Sequence, residues 1–135
     1  MESATLHAVE KPDLGFTVWV PASWTEFPPQ PSNSPYEVAR FRYRDEGRHI
    51  CLVFRQPSRP GLTPQAFADE TRRTLETKQF EHFSTDDLTM GGRPAVRMIY
   101  DTSRFDFGPW FVREYFLVAQ DVGYALGLGT SRPKR

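Results

Sequence analysis

Cysteine is almost absent: Cys51 is the only one, so no internal disulfide and no cysteine-based zinc cluster can form. It sits in the apolar run Ile50-Cys51-Leu52-Val53-Phe54, where it reads as a buried, inert thiol rather than a reactive one. Net charge is absent too, because 17 Lys and Arg balance 17 Asp and Glu. That removes the long-range field that gathers nucleic acid or an anionic membrane surface. No apolar run approaches the ~18 residues of a membrane span. Residues Met1 to Glu10 lack the basic start and apolar centre of an export signal. The expectation is a cytoplasmic protein with no membrane span.

Histidine is scarce as well. His7, His49 and His82 are the only three, and none sits in a ligand or catalytic motif. His49 reads as structural, and Glu81-His82 and Asp86-Asp87 have only generic spacing. Nothing supplies a nucleophile beside an oriented base. The glycines from Gly123 to Gly129 do not open a helix and do not match a dinucleotide fingerprint. The sequence therefore predicts no catalytic residue, no metal and no cofactor, and ranks an enzyme last.

What remains is an alternating chain. At 135 residues it is sized for one domain, taken as 1–135. Its leading stretch is Leu14 to Trp24: Phe16, Val18 and Val20 share one face of a strand, which must stop at Pro21 for want of an N–H. Trp24 can then fold back over the strand end. A short edge strand is expected over Thr5 to Val9. Four prolines between Phe27 and Pro35 make a stiff connector. Tyr36 to Tyr43 alternates, with Tyr36, Val38, Arg40 and Arg42 on one face and Glu37, Ala39, Phe41 and Tyr43 on the other. With His49 to Arg55 it forms a hairpin across the charged turn 44–48. Thr63 as N-cap and Pro64 at the first helical position start a helix running to about Lys78, with Phe67, Thr71 and Leu75 as its apolar stripe. Strands follow over Phe80 to Met90, Ala95 to Asp101, Phe111 to Ala119 and Val122 to Gly129. Gly91-Gly92 forms a type I′ turn. The last strand has one face of Val122, Tyr124, Leu126 and Leu128. The other face, Gly123, Ala125, Gly127 and Gly129, leaves room for close packing.

The order of these motifs is informative. Gly-Phe-x-Val-x-Val-Pro-x-x-Trp (15–24) precedes a hairpin, a Leu-Thr-Pro-x-x-Phe-Ala helix start (62–68), a Gly-Arg-Pro-Ala turn (92–95) and a closing strand pair (111–129). Over residues 13–130 the chain resembles the PsbP-like superfamily. The resemblance implies an α+β fold: an antiparallel sheet of about six to seven strands with one main helix, α/β/α-sandwich-like. It also implies a non-enzymatic role in binding or assembly, with no shared catalytic residues. Members are often exported and usually end in a helix laid across the sheet. Here the last strand is followed only by Ser131-Arg132-Pro133-Lys134-Arg135, so that C-terminal helix is missing. Either the N-terminal segment substitutes for it or another chain covers the face, and self-association or a protein partner is expected.

One stretch departs from loop composition. Arg104-Phe105-Asp106-Phe107-Gly108-Pro109-Trp110-Phe111, with Arg113 beyond it, joins arginine to aromatics as interface hot spots do. Either its rings close over the core as a lid or they present a binding surface; replacing Phe107 and Trp110 with Ser separates the two. The candidate binding residues are Arg104, Phe105, Phe107, Trp110, Arg113, Trp19 and Trp24. The alternative function is carriage of a small apolar ligand, in a pocket lined by Trp19, Trp24 and Tyr115.

Overall fold

The structure is a computed structural model that describes residues 5–44, 48–106 and 108–131. Two sheets carry the nine described strands. In the small one, β1 (Leu6–Lys11) runs antiparallel to β2 (Phe16–Pro21) across a 3-10 turn at Pro12–Leu14. As the alternation requires, Val18 and Val20 turn inward while Trp19 stays 64% exposed, and β2 ends at Pro21.

The large sheet holds β3 (Thr25–Phe27), β4 (Glu37–Arg42), β5 (His49–Gln56), β6 (Glu81–Met90), β7 (Arg93–Thr102), β8 (Trp110–Ala119) and β9 (Val122–Ser131). Its order is β3-β4-β5-β9-β8-β7-β6, with every neighbouring pair antiparallel. The single α-helix among the described residues, α1 (Pro64–Glu76), lies between β5 and β6 in sequence. This is an α+β fold with seven strands in its main sheet. The turn at Gly91-Gly92 has positive φ at both residues, 56° and 78°, as a type I′ hairpin needs.

α1 and the β1–β2 hairpin take opposite faces of the sheet. Phe67 and Ala68 of α1 pack on Val96, Met98, Val112, Phe116 and Ala125, with Phe67 edge-on to Phe116 at 5.0 Å. The Oγ1 of Thr63 accepts from the Ala66 N–H at 3.1 Å, so the helix is capped where the Thr-Pro pair places its start. On the other face Val20, helped by Val9, Phe16, Val18 and Trp24, covers Ala39, Phe41, Cys51 and Val53. The N-terminal hairpin thus occupies the layer that a second helix would fill. Further along the same face, Ile99 and Leu128 remain 37% and 38% exposed.

One expectation is corrected. In an unbroken β4, Glu37 and Arg40 would point to opposite faces. The register shifts between Glu37 and Ala39, and the extra residue brings both side chains to the helix side, where Arg40 grips Glu37 with two hydrogen bonds of 2.8 and 2.9 Å. A bulge is an insertion against a partner strand, so period-two reading of one strand does not reveal it.

Candidate functional site

Between α1 and the proline-rich connector the described residues leave a trough of about 950 Å³ on the helix face of the sheet. Leu52 and Phe54 of β5, Ala125, Gly127 and Gly129 of β9, and Val112 and Glu114 of β8 contribute from the sheet. Thr71, Thr74, Leu75 and Lys78 come from α1 and the turn after it; Gln30, Asn33, Pro35 and Tyr36 come from the connector, next to Arg40 and Arg42. The lining closes with the rings of Phe80, Tyr100, Phe105 and Trp110, and with Arg104. The volume lies in the range of small-molecule and peptide-side-chain sites.

The small residues of β9 set how closely its neighbours approach. A side chain on Gly123 would meet the Phe67 ring at 2.9 Å, and one on Gly129 would come within 2.3 Å of Trp110. The first glycine lets α1 approach the sheet; the second seats the Trp110 indole.

The connector wall is held by Glu37. Besides Arg40, its carboxylate accepts from the Gln30 N–H and the Asn33 side chain, each at 2.8 Å. Burial alone would raise its pKa, but these partners outweigh burial and hold the carboxyl below the usual range. At the opposite end, Arg104 donates to the Lys78 carbonyl at 3.1 Å, while the Thr102 hydroxyl donates to the Gln79 carbonyl at 2.8 Å. These bonds tie the 102–105 segment to the exit of α1.

Glu114 is the unusual group. It is 5% exposed and its Oε1 accepts from the Tyr100 hydroxyl at 2.7 Å. Burial pushes its carboxyl up to about 7, with Tyr100 pulling the other way. The same burial raises the Tyr100 hydroxyl well above its ordinary value.

The sequence-predicted residues divide three ways. Arg104, Phe105 and Trp110 come together in the trough. Arg113 points to the opposite face, opposite Ile99 and Leu128 in the ladder. Trp24 packs in the hairpin cluster and Trp19 sits on the hairpin's outer side, so they form no shared pocket with Tyr115 among the described residues. Phe107 lies outside the described residues. Cys51 is buried on the hairpin face, its thiol pushed up to about 12 by desolvation. Glu81, His82 and Asp101 group their ligand atoms within 4.8 Å at a second bulge; there Asp101 hydrogen-bonds His82 at 2.8 Å and raises its pKa. Sequence reading missed Glu37 and Glu114. For Glu114 a signal existed: on the Trp110, Val112, Glu114, Phe116, Val118 face of β8 it is the one charged position.

The seven-stranded antiparallel sheet with α1 on one face has a PsbP-like fold. In particular, the chain is similar to cyanobacterial PsbP (CyanoP) from Synechocystis sp. PCC 6803, with a TM-score of 0.75 at 15% identity, over 97% of this chain and 83% of that one. A Pseudomonas aeruginosa protein of unknown function, PA94, aligns at a TM-score of 0.48 and 18% identity, over 93% of this chain and 83% of its own. No protein-family model and no curated protein matches the sequence.

Proposed function

We propose that this protein is a non-enzymatic docking module of an assembly, and that the trough beside α1 receives a segment of a partner protein. The observation that carries the reading is the gathering of Arg104, Phe105 and Trp110 around an apolar floor left open among the described residues. Hot-spot residue types converge where burial is unfinished. Charge narrows the partner. Arg40 is matched by Glu37 and Glu70 by Arg59. Among the described residues no carboxylate pairs with Arg42 or Lys78, which line the same trough. An amphipathic segment with acidic residues along its flanks complements such a rim.

The test is capture of partners by the wild type and by Gly127→Leu, which fills the floor, followed by hydrogen exchange on the reconstituted complex. Protection confined to α1, residues 30–36 and residues 104–110, together with loss of the complex in Gly127→Leu, supports the reading. Undiminished binding by the filled variant, or protection on the hairpin face alone, overturns it. If the only partner found is a second copy of this chain, light scattering at micromolar concentration registers it as a dimer.

The volume and aromatic lining of the trough also support carriage of a small apolar ligand. A co-purifying molecule seen by native mass spectrometry and lost in Gly127→Leu favours that second reading.

A further inference from the structure

A purely apolar segment would leave one floor group unanswered. Glu114 interrupts the apolar face between Val112 and Phe116, flanked in the ladder by Met98 and Gly127. Tyr100 is its one hydrogen-bond partner among the described residues. The only side-chain nitrogen or oxygen among them that is both sealed from solvent and unpartnered is Arg55 Nε. The second oxygen of Glu114 is therefore not sealed; it opens on the trough that Glu114 lines. Gly127 beside it carries no side chain that could close over it. A desolvated carboxyl with a spare acceptor is costly until another donor reaches it.

Its surroundings select the donor. Phe54, Phe80, Tyr100 and Trp110 line the same trough, and aromatic faces attract cations. The molecule already uses them so: the Arg104 guanidinium lies 5.2 Å from the Phe80 ring centre and 4.6 Å from that of Phe105.

We propose that Glu114 and the rings around it form a pocket for an organic cation, the ammonium or guanidinium group of a lysine or arginine carried by the docked segment. This rests on the docking reading above and adds to it a side chain that the partner must have. A carboxylate at this depth would meet a buried group of its own sign. An alcohol would satisfy the hydrogen bond but gain nothing from the ring faces. The other charged groups lining the trough are Arg40 and Arg42 on β4, Glu70 and Lys78 on and after α1, and Arg104, with Glu37 bound to Arg40 and Asn33 behind them. Arg42, Lys78 and Arg104, which no described carboxylate neutralises, oppose a free cation at long range, a repulsion that salt weakens; acidic flanks on the segment cancel it.

The test uses the whole isotope-labelled protein in about 0.15 M salt, titrated with hexylammonium, 1-hexanol and hexanoate and followed by amide shifts. Hexylammonium should shift Val112 to Phe116 and Ala125 to Gly129 and bind at least ~10-fold more tightly than 1-hexanol. Its affinity should rise between about pH 6 and about pH 8, as Glu114 loses its proton. Glu114→Gln, which keeps an acceptor for Tyr100, should weaken hexylammonium binding ~10-fold and leave 1-hexanol unchanged. Equal affinity for alcohol and ammonium, an affinity that falls with pH, binding elsewhere, or an indifferent Glu114→Gln overturns the proposal. The comparison of three probes in the wild type decides even where the variant fails to fold. Equal binding of alcohol and ammonium in the trough removes the cation pocket alone, whereas protection of the partner complex away from the trough removes the docking reading.

Discussion

Glu114 stores a pH dependence in the fold. Its carboxyl sits at about 7 in the folded chain against an ordinary 4.5, so the folded state holds the proton more tightly than the unfolded state does. The associated stability is fully present below about pH 4.5 and is lost as pH rises through about 7, a total of about 3 kcal/mol. Glu114→Gln removes this slope. Urea midpoints for the variant should differ little between about pH 5 and about pH 8, while the wild type weakens across that interval; parallel curves would refute the assignment. Glu37 has the opposite character, a buried carboxylate answered on every side. Glu37→Ala strands Arg40 in the interior and releases Gln30 and Asn33, and should cost about 3–5 kcal/mol by denaturant unfolding. A loss under about 1 kcal/mol would mean that Arg40 finds water instead.

At the scale of elements, what the sequence disclosed follows from how local each cause is. The start of α1 needs only Thr63 and Pro64, and the cap is in place. Thr63→Ala should lower stability by about 1 kcal/mol, seen as a shifted urea midpoint with unchanged slope. The strands were legible by period, and the Gly91-Gly92 turn by its demand for positive φ. The three-residue β3 was not: it pairs only with β4 and is too short to show a period. The bulge in β4 was hidden because it exists only relative to β5. The trough was hidden for a related reason. Its floor glycines were visible and so was the aromatic stretch 104–111, but their meeting depends on strand order, which joins residues far apart in the chain. Arg113 shows the same limit, since one position of alternation sends it to the face away from Arg104.

For the molecule as a whole, the motif order at 15–24, 62–68, 92–95 and 111–129 was enough to reach the PsbP-like fold, because those motifs mark the turns and starts that fix topology. It did not show that the hairpin would serve as the second layer; that follows from Val18, Val20 and Trp24 packing on β4 and β5. The sheet consists of two runs of neighbouring strands, β3-β4-β5 and β6-β7-β8, and β9 joins them by pairing with β5 on one side and β8 on the other. Removing residues 122–135 should therefore abolish cooperative unfolding rather than trim an edge, with loss of dispersed amide resonances as the readout. A truncated chain that still melts sharply would show that one half stands alone.

That central position also sets a timetable. While residues 122–131 are still inside the ribosome, β5 and β8 both present bare edges, and such edges invite pairing with other nascent chains. The seam closes through contacts between residues as distant as His49 and Thr130, a slow kind of closure. Folding helpers would thus act in the interval after β8 has emerged and before β9 joins the two halves.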